Sequence, residues 1–112
     1  MRFDWDAGKS KSNLAKHNVS FQEASETFFD PLVVLIPDEA HSTDAEDRWI
    51  AIGLSTKRRV LFVVHAYRDE EVVWIISARR ASRQEVNDYE DEIKERLGWW
   101  PPGRPRHSAR DT

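Results

Sequence analysis

One stretch, Val60 to Tyr67, constrains the chain more than any other. It reads Val-Leu-Phe-Val-Val-His-Ala-Tyr, with apolar side chains at both odd and even positions. A strand with two apolar faces belongs in the middle of a sheet, covered on both sides. The rest of the chain must therefore supply neighbouring strands and covering helices. Arg48 to Leu54 alternates weakly, with Ile50, Ile52 and Leu54 on one face. The basic turn Thr56-Lys57-Arg58-Arg59 joins it to the central strand, and the turn Arg68-Asp69-Glu70 leads to a further strand over Glu71 to Ser77. Leu32 to Ile36 is a shorter strand ended by Pro37. Connections this short imply antiparallel hairpins.

The segments flanking these strands carry the helical period. Asp6 is a suitable N-cap for a helix over Ala7 to His17, and Asn18 suits the left-handed position that ends it. Ser20-Phe21-Gln22-Glu23 has the S-x-x-E pattern of a capping box and opens a second helix, with Phe21, Ala24, Ser25 and Phe28 on one face. Asp30-Pro31 stops it, because proline cannot continue the hydrogen-bond ladder. Ser82-Arg83-Gln84-Glu85 is a second capping box. It starts a helix running to about Leu97, with Gly98 as the residue that ends it and Val86, Tyr89, Ile93 and Leu97 as its apolar stripe. The expected fold is α+β: two N-terminal helices, a four-stranded antiparallel sheet and a C-terminal helix. At 112 residues there is room for one domain. It is expected over 1–97, with the Trp/Pro-rich 98–112 as a disordered tail.

Composition narrows the function. The chain has no cysteine, so disulfides and thiolate chemistry are excluded. Its start, Met-Arg-Phe-Asp-Trp-Asp, lacks the apolar core of a signal peptide, and no apolar run approaches the roughly 18 residues of a membrane helix. A cytoplasmic, membrane-free protein is the expectation. The net charge of −3 does not suit a protein that coats nucleic acid. Between Arg48 and Arg83, however, eight arginines and lysines face three acids, a local balance suited to a phosphate or an acidic partner.

The four histidines, His17, His41, His65 and His107, form no H-x-x-x-H pair, and four glycines leave no glycine-rich phosphate loop. No metal or other cofactor is expected. Arginine, histidine and acid remain. Arg79-Arg80 ends the fourth expected strand just before a capped helix, where guanidinium forks and free backbone N–H groups could meet one phosphate. The competing reading pairs one of the two with Glu85. His65, on the face of Leu61, Val63 and Tyr67, is either a hydrogen-bonded core residue or, if solvated, a proton carrier. His41 lies in the polar loop Asp38 to Asp47. Trp5, Trp49 and Trp74 suit a core better than a base-stacking surface.

An ordered set of segments also resembles the BrnT toxins, which share the RelE-like bacterial ribonuclease fold. It comprises Phe3-Asp4-Trp5-Asp6, Lys16 to Ala24, Phe29-Asp30-Pro31, His41-Ser42 with Glu46-Asp47-Arg48, Ile52 to Ser55, Ile75 to Ala81, Glu85 and Tyr89. The resemblance implies metal-independent RNA cleavage that inhibits translation. It implies as partner a BrnA-like ribbon-helix-helix antitoxin, with operator DNA met only through that antitoxin. The functional residues it implies are His41, Glu46, Arg48, His65, Arg79 and Arg80. On the chemistry of RNA cleavage we expect Arg79 and Arg80, assisted by Arg48, to stabilise the phosphate, and His65, then His41 or Glu46, to move protons. The chain departs from the family pattern at Val72 and Trp74, where many relatives carry basic residues. The alternative function is a non-enzymatic, partner-binding regulatory module of a toxin–antitoxin operon.

Overall fold

A computed structural model describes residues 1–98. The expected tail lies outside the described residues, apart from Gly98. The fold is α+β, with the helices in the expected places. The sheet, however, has five strands rather than four and is mixed rather than antiparallel. They are β1 (Arg2–Trp5), β2 (Val34–Pro37), β3 (Arg48–Leu54), β4 (Val60–Arg68) and β5 (Val72–Arg80), in the spatial order β1-β5-β4-β3-β2. The central strand read from the sequence, β4, is indeed the middle one. The added strand, β1, runs parallel to β5, with Phe3 opposite Val73 and Trp5 opposite Ile75. Its alternation is visible in Arg-Phe-Asp-Trp, but four residues acquire strand identity only from a partner some seventy positions away.

One face of the sheet holds the core. Helices α1 (Ala7–His17) and α2 (Phe21–Glu26) lie over it. Val19, Phe21 and Ala24 pack with Ala51, Leu61, Val63, Val73, Ile75 and Ala78, flanked by Phe3, Trp5 and Phe28. Burial of this apolar surface drives the assembly. Asp6 caps α1 through a bond from the Lys9 N–H at 2.9 Å, and Asn18 ends it at φ 56°. A 3₁₀ turn, Thr27–Phe29, follows α2 and lies so close to β3 that a side chain at Gly53 would come within 2.9 Å of the Thr27 carbonyl oxygen.

Two buried polar residues join helix to sheet. β1 pairs with β5 only as far as Ile75. Beyond it, the Asn13 amide donates to the Ala78 carbonyl (2.8 Å) and accepts from the Ala78 N–H (3.1 Å), serving as an edge strand would. Glu23 forms only half of the expected capping box. Ser20 accepts from the Glu23 N–H at 3.0 Å, but the Glu23 carboxylate turns inward, accepting from Ser55 Oγ at 2.7 Å and pairing with the Arg59 guanidinium. The hydrogen bond from Arg59 holds its pKa below the ordinary carboxylate value, against the opposing effect of burial. In place of a cap, the glutamate ties α2 to the β3–β4 hairpin.

The last helix, α3 (Arg83–Leu97), begins with a complete capping box of Ser82 and Glu85 and ends at Gly98 in the left-handed conformation. It lies on the opposite face of the sheet. Buried Tyr89 donates its hydroxyl proton to Asp30, which also accepts from the backbone N–H groups of Leu32 and Leu54 at 2.9 Å each. Burial opposes the charge on Asp30, but the bond from Tyr89 and the two backbone bonds outweigh it and leave the pKa lowered.

Candidate functional site

Helix α3 covers only one end of its face. The remainder is a hollow of about 420 Å³ over β3, β4 and β5, lined by Asp38, His41, Arg48, Val64, Ile76 and Arg79 among others. A β-bulge shapes its floor. Val64 pairs with Ser77 while His65 pairs with Ile75, so Ile76 is an extra residue on β5. Beyond it the strand resumes alternation in a new phase: Ala78 enters the core, Arg79 faces the hollow and Arg80 faces the helix-covered side.

Arg79 is fixed by two partners. Its two terminal nitrogens donate to the two Glu85 carboxylate oxygens at 2.8 and 2.9 Å, and its guanidinium lies over the Phe62 ring at 4.0 Å. The Glu85 bond raises the Arg79 pKa and lowers that of Glu85. Glu85 therefore serves both the capping box and the arginine. Pairing with Glu85 and facing the hollow, posed as alternatives by the sequence, coexist.

His41 ends a 3₁₀ turn, Glu39–His41. Its Nδ1 lies 3.0 and 3.1 Å from the two carboxylate oxygens of Asp38, and its side chain is 70% exposed. Asp38, by contrast, is buried. Its backbone N–H donates to the Arg48 carbonyl at 2.8 Å. Ser42 Oγ accepts from the Arg48 N–H at 2.9 Å and donates to the Asp38 carbonyl at 2.8 Å, lacing this loop to β3. A carboxylate on Nδ1 holds the proton there and leaves Nε2 as the free basic nitrogen. Arg48 Nε is 3.4 Å from Glu46 Oε1, and Glu46 Oε2 is 3.9 Å from Arg68 Nη2.

The structure thus brings together His41, Arg48 and Arg79, with Glu46 beside Arg48. It separates two other expected residues from them. His65 is on the core face, fully buried, with the Phe28 ring edge-on at 4.7 Å and Tyr67 Oη at 3.3 Å. Burial lowers its pKa to about 4, so it is a neutral core residue at physiological pH. Of the two readings open for His65, this placement fits the hydrogen-bonded core residue and not the solvated proton carrier. Arg80 is exposed but on the opposite side from Arg79, so the two cannot close on one phosphate from a single face. Sequence reasoning missed Asp38. Its signal was the three-residue spacing to His41 in a short loop, which places the two side chains on one turn.

Comparison with known proteins agrees with this fold. Residues 5–85 match the family model described as the ribonuclease toxin, BrnT, of type II toxin–antitoxin systems. The 1.1 Å crystal structure of the ribonuclease toxin BrnT from Brucella abortus is similar at 27% identity and a TM-score of 0.59, over 74% of this chain and 99% of that one. A comparison with the curated proteins gave no match. Among the described residues no helix is long and apolar enough to cross a membrane. With more than two thirds of its length inside the family model and the same fold beneath it, this chain belongs to the BrnT family of ribonuclease toxins of type II toxin–antitoxin systems.

Proposed function

We propose that this chain cleaves RNA without a metal ion at the hollow formed by His41, Arg48 and Arg79, and that this cleavage inhibits translation in the cytoplasm. Convergence of an exposed imidazole and two guanidiniums on one open cavity carries the reading. The ribose 2′-hydroxyl attacks the adjacent phosphorus. The 2′-O–P bond forms, the P–O5′ bond breaks, one proton leaves the 2′-oxygen and one reaches the 5′-oxygen. Arg48 and Arg79 bind the non-bridging oxygens, whose charge grows in the transition state. His41 moves one of the two protons through Nε2, while Asp38 keeps the Nδ1 proton and stabilises the imidazolium. Glu46 anchors Arg48. Arg80 and His65 have no part in these steps.

These steps need no metal. Among the described residues, no group of three or more histidines, aspartates or glutamates has the arrangement to hold one. A BrnA-like ribbon-helix-helix antitoxin neutralises the chain and is its only route to operator DNA.

The test is incubation of pure protein with RNA in EDTA, followed by analysis of the product ends. Cleavage should persist and leave 2′,3′-cyclic phosphate or 3′-phosphate. Dependence on Mg²⁺, or 3′-hydroxyl ends, would overturn the mechanism. Intact RNA together with normal growth on expression without antitoxin would favour a partner-binding module instead.

A further inference from the structure

Next to the hollow, the same face carries a second arginine–aromatic pair that the reaction leaves unused. The Arg68 guanidinium lies over the Trp74 ring at 3.8 Å, while its side chain stays 52% exposed. The register places this pair beside Arg48: Arg48 is opposite Ala66 on β4, and Ala66 is opposite Trp74 on β5. Arg48 and Trp74 thus share one row across the sheet, two strand spacings or about 10 Å apart at the backbone. Only the small alanine side chain stands between them.

Charge distinguishes this end of the face from the Arg79 end. Arg79 has a carboxylate to itself, held by two short bonds. Arg48 and Arg68 share Glu46 at 3.4 and 3.9 Å, neither in a bidentate pair. One carboxylate between two guanidiniums leaves neither arginine with a carboxylate of its own. The patch is local, since Asp47 lines the adjoining hollow with Arg68 and Asp4 flanks Trp74 from β1. A guanidinium held by its flat face on an indole keeps its edge N–H groups for a ligand and loses little further freedom on binding. Phosphate is the ligand that such an edge fits.

We propose that Arg68, held by Trp74, binds a second backbone phosphate of a single-stranded RNA next to the one held by Arg48, extending the substrate path along the sheet toward β1. The inference rests on the ribonuclease reading above. Trp74 acts as the positioning residue and Arg68 as the binding one.

The test uses a single-stranded RNA with every 2′-hydroxyl methylated, so that binding is measured without cleavage. Its affinity is followed by fluorescence anisotropy over a salt series for the wild type and for Arg68→Ala, Trp74→Leu, Arg48→Ala and Arg79→Ala, each checked by thermal melting. Loss of one phosphate contact should lower the slope of log affinity against log salt by about 0.7 in Arg68→Ala. Trp74→Leu should keep the slope but weaken binding several-fold, because the charge stays while its placement is lost. Unchanged affinity and slope in a folded Arg68→Ala, alongside weakened binding in Arg48→Ala or Arg79→Ala, would overturn this inference alone. Absence of RNA binding by the wild type would overturn it together with the ribonuclease reading.

Discussion

At the scale of single residues, the face on which a side chain stands decides its role. Arg79 and Arg80 are adjacent in sequence and face opposite ways, so alanine substitutions should separate them. Arg79→Ala should lower cleavage by about 10²–10³, the usual cost of one transition-state oxyanion donor. Arg80→Ala should leave the rate within a few-fold, and single-turnover assays on a defined RNA would show a reversal if our assignment of faces is wrong. His65 gives a pH signature instead. Its folded pKa of about 4 lies below the ordinary histidine value near 6.5, so the unfolded chain binds the extra proton first. Stability should therefore be full above about pH 6.5 and fall by up to roughly 3 kcal/mol as pH drops toward 4. Urea midpoints at a series of pH values should show this fall in the wild type and a much shallower one in His65→Leu. Equal slopes would mean that His65 is not held neutral by the fold. The residue types of the site were readable in the sequence; their faces were not. The sequence set histidine in a run of apolar residues without showing which side the helices would cover, and it gave no sign of the bulge that sets the phase of Arg79.

At the scale of elements, the caps and breaks were the clearest signals, because they depend on chemistry within one turn. Asp6, Asn18, Ser82 and Gly98 all do what their residue types suggest. Two misreadings came from partners distant in sequence. β1 needs β5 to be a strand at all, and Glu23 abandons its cap for an arginine thirty-six residues away. The second has a measurable cost. The Glu23 side chain is 2% exposed and its partner 17%, so Glu23→Gln leaves a partly buried guanidinium with no counter-charge. Removing one member of a buried pair typically costs about 3–5 kcal/mol. Denaturation of Glu23→Gln should show a loss of this order with cleavage per folded molecule intact, since the pair lies on the far side of the sheet. The depressed Glu23 pKa also means that this contribution is present above the ordinary carboxylate pKa and lost as pH falls through the folded value.

At the scale of the molecule, the sheet divides its labour. One face, under α1 and α2, carries the core; the other, half-covered by α3, presents the charged hollow. An antitoxin that neutralises the chain by occlusion must approach from the second side. Hydrogen exchange on the toxin–antitoxin complex should therefore show protection in the loop around His41 and along β3 near Arg48, with little change in α1. Protection confined to α1 and α2 would point to inhibition from a distance. Moderate salt should weaken contacts at the rim of such an interface and spare its buried centre.

The extra residue at Ile76 can also be viewed as a change of reading frame. A strand is read in steps of two, and one added residue moves everything downstream onto the other face. Removing Ile76 would straighten β5 without altering the frame of either half, leaving Arg79 toward the hollow. Loss of Ala78 instead would shift the frame by one, sending Arg79 toward the helices and bringing Arg80 to the open side. Two consecutive arginines therefore cover both frames: whichever way the end of this strand slips, one guanidinium still faces the hollow.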